Sequence, residues 1–187
     1  MEYFDVLNES GQKTGEIVER SEAHRRGICH RVVQVWIVNS KNELLLQKRS
    51  KNKDWMPDMW YVSMGGHMES GEDGLSAIVR EFEEELQLDI RAHMDELKFL
   101  HTFKEVSVTQ NGAFIDNEFY DVYLLKCDVD VDVSALKLQE DEVQAVKYMK
   151  YGDFRQAVMD RRPDFVHHEV GYPLLIQCLD AYMGQNG

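Results

Sequence analysis

Residues 65–88 read GGHMESGEDGLSAIVREFEEELQL, and the rest of the chain is organised around them. The stretch opens on Gly65-Gly66, passes through a polar loop and becomes helical at about Gly74 or Leu75. Placed about 100° apart around a helix axis, Leu75, Ile78, Val79, Phe82 and Leu86 fall on one apolar stripe that would anchor the helix on a core. Glu81, Glu84 and Glu85, at i, i+3 and i+4, stand side by side along one edge of that stripe. Like charges at this spacing repel by roughly 0.2–0.5 kcal/mol per pair. Glu84 and Glu85 also occupy the last turn, where the helix dipole disfavours anions. A cation between the carboxylates removes both penalties, and hard divalent ions prefer oxygen ligands. The plain alternative for an isolated charge run is a solvated acidic face.

The frame around the glutamates separates these readings. Gly66 is followed after five residues by Glu72, after seven more by Arg80-Glu81, and then by Glu84-Glu85. This spacing resembles the signature box of the Nudix hydrolase family. One position departs, because the family usually has glycine where Gln87 stands. Glycine there would end the helix in a left-handed turn, which Gln adopts at some cost. The resemblance implies attack of water on a diphosphate linked to some group X, with Mg²⁺ (or Mn²⁺) as cofactor. By the same resemblance Glu84 and Glu85 are the main metal ligands, and Glu81 is a further ligand or the base that activates water. Glu72 supports the site from the loop. Arg80 orients the glutamates through charge-assisted bonds, the plain alternative being a helix salt bridge. Gly65 and Gly66 let the backbone approach metal and diphosphate closely.

Composition is consistent with this reading. The chain has 187 residues, 43% hydrophobic and 29% charged, which suits one soluble globular domain with a sizeable core. A formal net charge of -13 argues against nucleic acid as a partner. An acidic protein that handles a small-molecule diphosphate needs a metal to mediate the contact. The three cysteines, Cys29, Cys127 and Cys178, show no ligand-like spacing, which suggests reduced thiols and a cytoplasmic setting. The N-terminus lacks a basic region followed by an apolar one, and no apolar run approaches the 18 or so residues that span a membrane. A homodimer is left open.

In chain order, residues 3–7 and 14–18 flank Asn8-Glu9-Ser10-Gly11 as a hairpin. Ser21 then caps a short helix closed by Gly27. The run HRVVQVWIV at 30–38 is a buried strand, returning through 44–49 after a turn at 39–42. A loop with Trp55, Pro57 and Trp60 leads into the box. Beyond it, Leu97, Phe99, His101 and Phe103 alternate as a half-buried strand, Asn111-Gly112 makes a hairpin turn, and 119–126 is the next strand. An acidic loop at 128–132 precedes strand-like alternation at Val143, Ala145 and Tyr148. Residues 151–160 and 173–183 read as helices, with Pro173 in a first turn. These elements give an α+β protein, an α/β/α sandwich with a mixed β-sheet. Its parts are an N-terminal hairpin and short helix (1–29), a core (30–150) and a helical segment (151–187).

Further candidates lie outside the box. Lys48 and Arg49, at a strand end, either bind the outer phosphate or stay solvated. Trp55, Trp60 and Tyr120 either stack on X or pack the core. A finer resemblance runs through AHRRGICHR, LLLQKRSKNK, GGHMESGE and DNEF to the isopentenyl-diphosphate isomerase branch of the superfamily. It implies a second metal site made of His24, His30, His67, Asp116 and Glu118, a donor set suited to Mn²⁺ or Zn²⁺. The isomerases' catalytic cysteine falls at Gly65, and their box helix is degraded whereas REFEEE is intact here. The expectation is therefore a metal-dependent hydrolase of a small organic or nucleoside diphosphate. A delta-isomerase using an unusual acid and a non-catalytic diphosphate sensor are the alternatives.

Overall fold

A computed structural model of the chain describes residues 1–127 and 131–185. The first three residues of the expected acidic loop, 128–130, lie outside the described residues. Strands β1 (Tyr3–Leu7) and β2 (Lys13–Glu19) form a separate two-stranded sheet, followed by helix α1 (Arg20–Arg26). Gly27 closes α1 at φ 64°, as expected. The N-cap, however, is Glu19, whose carboxylate is held by the Ser21 hydroxyl.

β3 (His30–Asn39) follows and sits at the centre of the main sheet. Its side chains split between two cores: Val33, Val35 and Ile37 enter one, while Val32, Trp36 and Val38 enter the other. A strand buried on both faces reads as a continuous apolar run, which explains HRVVQVWIV. β4 (Glu43–Arg49) meets β3 only at Val38–Leu44 and pairs with β5 (Trp60–Tyr61) and β9 (Val143–Lys150). β6 (Met64–His67) runs antiparallel to β3, and β8 (Phe114–Cys127) runs parallel to it. β7 (Leu97–Thr109) forms a long hairpin with β8. Gln110, Asn111 and Gly112 turn it, all with positive φ. The result is a mixed seven-stranded sheet.

Helix α2 (Gly74–Leu86) covers one face, and α3 (Tyr151–Met159) and α4 (Gly171–Gln185) contribute to the core on the other. The α/β/α sandwich expected from the sequence is thereby borne out. The apolar stripe of α2 needs one correction: Ala77, Ile78, Phe82 and Leu86 are buried, but Leu75 is 49% exposed. Gly74 faces the sheet instead, so closely that a Cβ there would lie 2.9 Å from the Tyr123 hydroxyl. Among the described residues no helix is long and apolar enough to cross a membrane.

Asp73 caps α2 by accepting the Ser76 N–H at 2.8 Å, and Gln87 ends it in the left-handed region at φ 49°. The cost foreseen for Gln at this position is therefore incurred. Gln87→Gly should raise stability by about 0.5–1 kcal/mol, or roughly 2–4 °C in melting temperature. A thermal melt that is unchanged or lower would show that the turn carries no such strain.

Candidate active site: two carboxylate clusters in one cavity

Arg80 organises the first cluster. Its guanidinium donates to both Glu72 oxygens at 2.9 Å, to Glu81 Oε1 at 2.8 Å and to Glu84 Oε2 at 3.2 Å. A fifth bond, at 2.8 Å, goes to the His67 carbonyl on β6. Glu72 in turn accepts the Glu69 N–H at 2.9 Å. Glu85 faces inward and is held by the Gln47 amide at 3.0 Å. Its 6% exposure contrasts with its solvated neighbours Glu83 and Glu84. Burial raises the pKa of both Glu81 and Glu85, and for Glu81 the nearby Glu85 carboxylate adds to the effect. Two neighbouring acids, one buried and one half-buried, with too little cationic compensation hold a proton that a divalent cation could replace. The donor set is all oxygen, which fits Mg²⁺ or Mn²⁺.

The approach of β6 to α2 depends on Gly66. A Cβ at that position would lie 2.0 Å from Glu81 Cδ. Gly65 is less constrained, its nearest neighbour being Val62 Cγ1 at 3.1 Å.

The second cluster is assembled by strand register. His30 begins the parallel ladder opposite Glu118, and His67 ends β6 opposite Val32. Glu118 Oε1 lies 3.1 Å from His30 Nε2 and 3.2 Å from His67 Nε2. His24 arrives from α1, its Nδ1 3.1 Å from Asp116 Oδ1 but poorly aligned for a hydrogen bond. One ligand atom from each of His24, His30, His67 and Glu118 lies within 4.8 Å of the others. Phe4 stacks on the rings of His30 and His67, and Phe114 on that of His24.

Burial lowers His67 to about 4. At Glu118 the histidine hydrogen bonds outweigh burial and hold the carboxyl well below its usual range. The same bond keeps His30 above its ordinary value despite burial. Burial raises Asp116. Both ring nitrogens of His24 and Oδ2 of Asp116 are buried without a hydrogen-bond partner. Such orphans are rare, and a cation bound among imidazoles and carboxylates would satisfy them.

Both clusters line one cavity of about 400 Å³. Gly65, Gly66, Glu81, Glu84 and Glu85 meet His67, Asp116 and Glu118 there, with Tyr120, Trp55 and Tyr61 as an aromatic wall. Arg49 reaches the cavity, fixed by the Trp55 and Met56 carbonyls at 2.8–3.1 Å and stacked over the Trp55 ring. Lys48 and Trp60, expected at the site, are not among the lining residues. Neighbours on a strand point to opposite faces, and Lys48 instead pairs with Asp58 at 2.7 Å. The Trp60 ring carries the Lys147 ammonium 3.7 Å from its centre. Sequence reasoning missed Arg20, Gln34 and Gln47. Arg20 and Gln34 line the cavity, and Gln47 holds Glu85. The signal was there for the glutamines, since each interrupts an apolar strand.

Residues 29–168 match the NUDIX domain model. Nudix hydrolase 3 of Arabidopsis thaliana is 42% identical over 170 residues, covering 90% of this chain, which spans 22% of that protein. Isopentenyl-diphosphate Delta-isomerase of Pectobacterium atrosepticum is 30% identical over 154 residues, 82% of this chain and 79% of that protein. The crystal structure of DR0079 from Deinococcus radiodurans shares the fold with a TM-score of 0.71 at 22% identity, covering 95% of this chain and 99% of that one. The chain belongs to the Nudix hydrolase family.

The contact at Gly66 gives a direct test. In Gly66→Ala the new methyl group would displace the Glu81 side chain rather than the sheet. Catalytic turnover should fall about 10-fold or more with the circular dichroism spectrum unchanged. Normal turnover would show that the Glu81 position is not critical.

Proposed function

We propose that this protein hydrolyses a diphosphate bond in a small organic or nucleoside diphosphate, with Mg²⁺ or Mn²⁺ as cofactor. The observation that carries the reading is the pair of the buried Glu85 and the half-buried Glu81, both with raised proton affinity. Arg80 and Gln47 steady this pair at the edge of the cavity. Glu81, Glu84 and Glu85 would hold the cation. When bound, it supplies Lewis-acid polarisation of the phosphoryl oxygens and acidifies water.

The chain's own groups account for the remaining steps. Water attacks phosphorus, a new P–O bond forms and the bridging P–O bond breaks. Glu81, freed of the proton that the cation would displace and held 2.8 Å from Arg80, is the group placed to take the water proton. That proton then leaves with the released phosphate. Arg80 keeps Glu81 and Glu84 in register with Glu72, and Gly65 and Gly66 keep side-chain bulk away from the reacting centre. Arg49, pinned in place, and Arg20 offer cationic donors to the outer phosphate oxygens. Mg²⁺-dependent phosphate release across nucleoside, sugar and prenyl diphosphates tests the reading. Glu85→Gln should lower kcat by about 10²-fold with the fold intact. Near-normal turnover at saturating metal would overturn the assignment.

One observation favours a second reading. His24, His30, His67 and Glu118 offer ligand atoms within 4.8 Å of one another, with Asp116 3.1 Å from His24, and this set would hold a second cation such as Mn²⁺ or Zn²⁺. Isomerisation needs an acid and a base on opposite faces of a short prenyl chain. Glu118 could serve as one, but Gly65 at the other place has no proton to give. Incubation with isopentenyl diphosphate in D₂O should leave deuterium out of recovered dimethylallyl diphosphate. Its incorporation would replace the hydrolase reading with the isomerase one.

A further inference from the structure

Behind the aromatic wall of the cavity lies a hydrogen-bonded chain that the proposed hydrolysis does not use. The Tyr61 hydroxyl lies 2.7 Å from His168 Nε2, and His168 Nδ1 lies 3.1 Å from Glu105 Oε2. The second Glu105 oxygen accepts the Glu169 N–H at 3.0 Å. From the other side the Gln34 amide donates to the Tyr61 hydroxyl. Tyr61, His168 and Gln34 are all buried, at 6%, 5% and 4% exposure. The imidazole is surrounded by the rings of Trp55, Tyr61, Phe103, Tyr120 and Tyr172, with centroids 5.1–5.8 Å away. A polar chain in such a setting is costly to desolvate, and both Tyr61 and Gln34 line the cavity.

The proton order in this chain follows from which groups can donate. Ionised Glu105 only accepts, so His168 Nδ1 carries the hydrogen that faces it. In the neutral form of the ring Nε2 is then an acceptor, and the Tyr61 O–H donates to it. Gln34 already donates to the phenol oxygen. Tyr61 has therefore used its proton inward and keeps one lone pair for the cavity. It cannot donate to a phosphate oxygen, but it can accept a hydrogen bond from a hydroxyl or N–H group.

Resting on the diphosphate reading above, we infer that Tyr61 is a specificity residue that accepts a hydrogen bond from group X. Glu105 and His168 are positioning residues that fix its proton. Group X is accordingly a polar moiety with a hydroxyl or N–H donor, of the kind a nucleoside or sugar carries. A hydrocarbon tail leaves this acceptor unmatched.

Calorimetric titration with Mg²⁺ and three probes that water cannot cleave at the bridge tests the inference. The probes are methylenediphosphonate, its isopentenyl ester and α,β-methylene-ADP. The wild type should bind the nucleotide analogue more tightly than the isopentenyl one. Tyr61→Phe should weaken the nucleotide analogue roughly 3- to 10-fold, the worth of one hydrogen bond, and leave the other two unchanged. Glu105→Gln, which removes the ionised acceptor that sets the proton order, should produce the same selective loss. Equal weakening of all three probes, or a lowered melting temperature with unchanged affinities, would show that the chain is only a structural latch and overturn the inference. If bare methylenediphosphonate fails to bind, the diphosphate reading itself fails and the inference falls with it. If it binds but the nucleotide analogue gains nothing over the isopentenyl one, only the inference falls.

Discussion

The structure depends first on the parallel pairing of β3 with β8, held in register from His30–Glu118 to Asn39–Cys127. A parallel pair of this length must be buried on both sides, so β3 divides the apolar residues into two cores and helices cover each. The same register sets the chemistry at its N-terminal end, where His30 can only meet Glu118. Antiparallel addition of β6 to the other edge of β3 then brings His67 to the same carboxylate and Gly66 against Glu81. Secondary structure and site geometry therefore follow from one alignment of strands.

Arg80 ties the two clusters together mechanically. Its guanidinium bridges three glutamates and the backbone carbonyl of His67, whose ring reaches Glu118. A displacement of α2 relative to β6 would strain both sites at once. Such a group presents its donors in a fixed planar fork, which a lysine in the same place would not reproduce.

How much was legible in the sequence depended on how far apart the participants lie. The glutamate set and its arginine sit within a loop and one helix, so their spacing could be matched to the family box. The layered fold was legible because β3 is a continuous apolar run and α2 carries an apolar stripe at helical spacing. Leu75 was assigned to the wrong side because a pattern of apolar residues cannot register that Gly74 is the residue pressed on the sheet. The histidine cluster draws on α1, β3, β6 and β8, and only the family resemblance suggested it. Lys48 and Trp60 looked suitable by residue type, but strand direction and local ion contacts turned them elsewhere. Tyr61, Glu105 and His168 are separated by more than 40 residues at each step, and no local pattern joins them.

The N-terminal hairpin and α1 look like an appendage beside the main sheet, yet they complete its working surface. Glu2, Arg20 and His24 line the cavity, and Phe4 presses on two imidazoles. A boundary drawn at the first core strand would keep the sandwich but remove one wall of the site. For domain fusion or recombination the transferable unit is therefore larger than the sheet and its helices. A chimera cut before His30 would exchange the ceiling of the pocket along with its partner's N-terminus, and with it the shape presented to whatever the diphosphate carries.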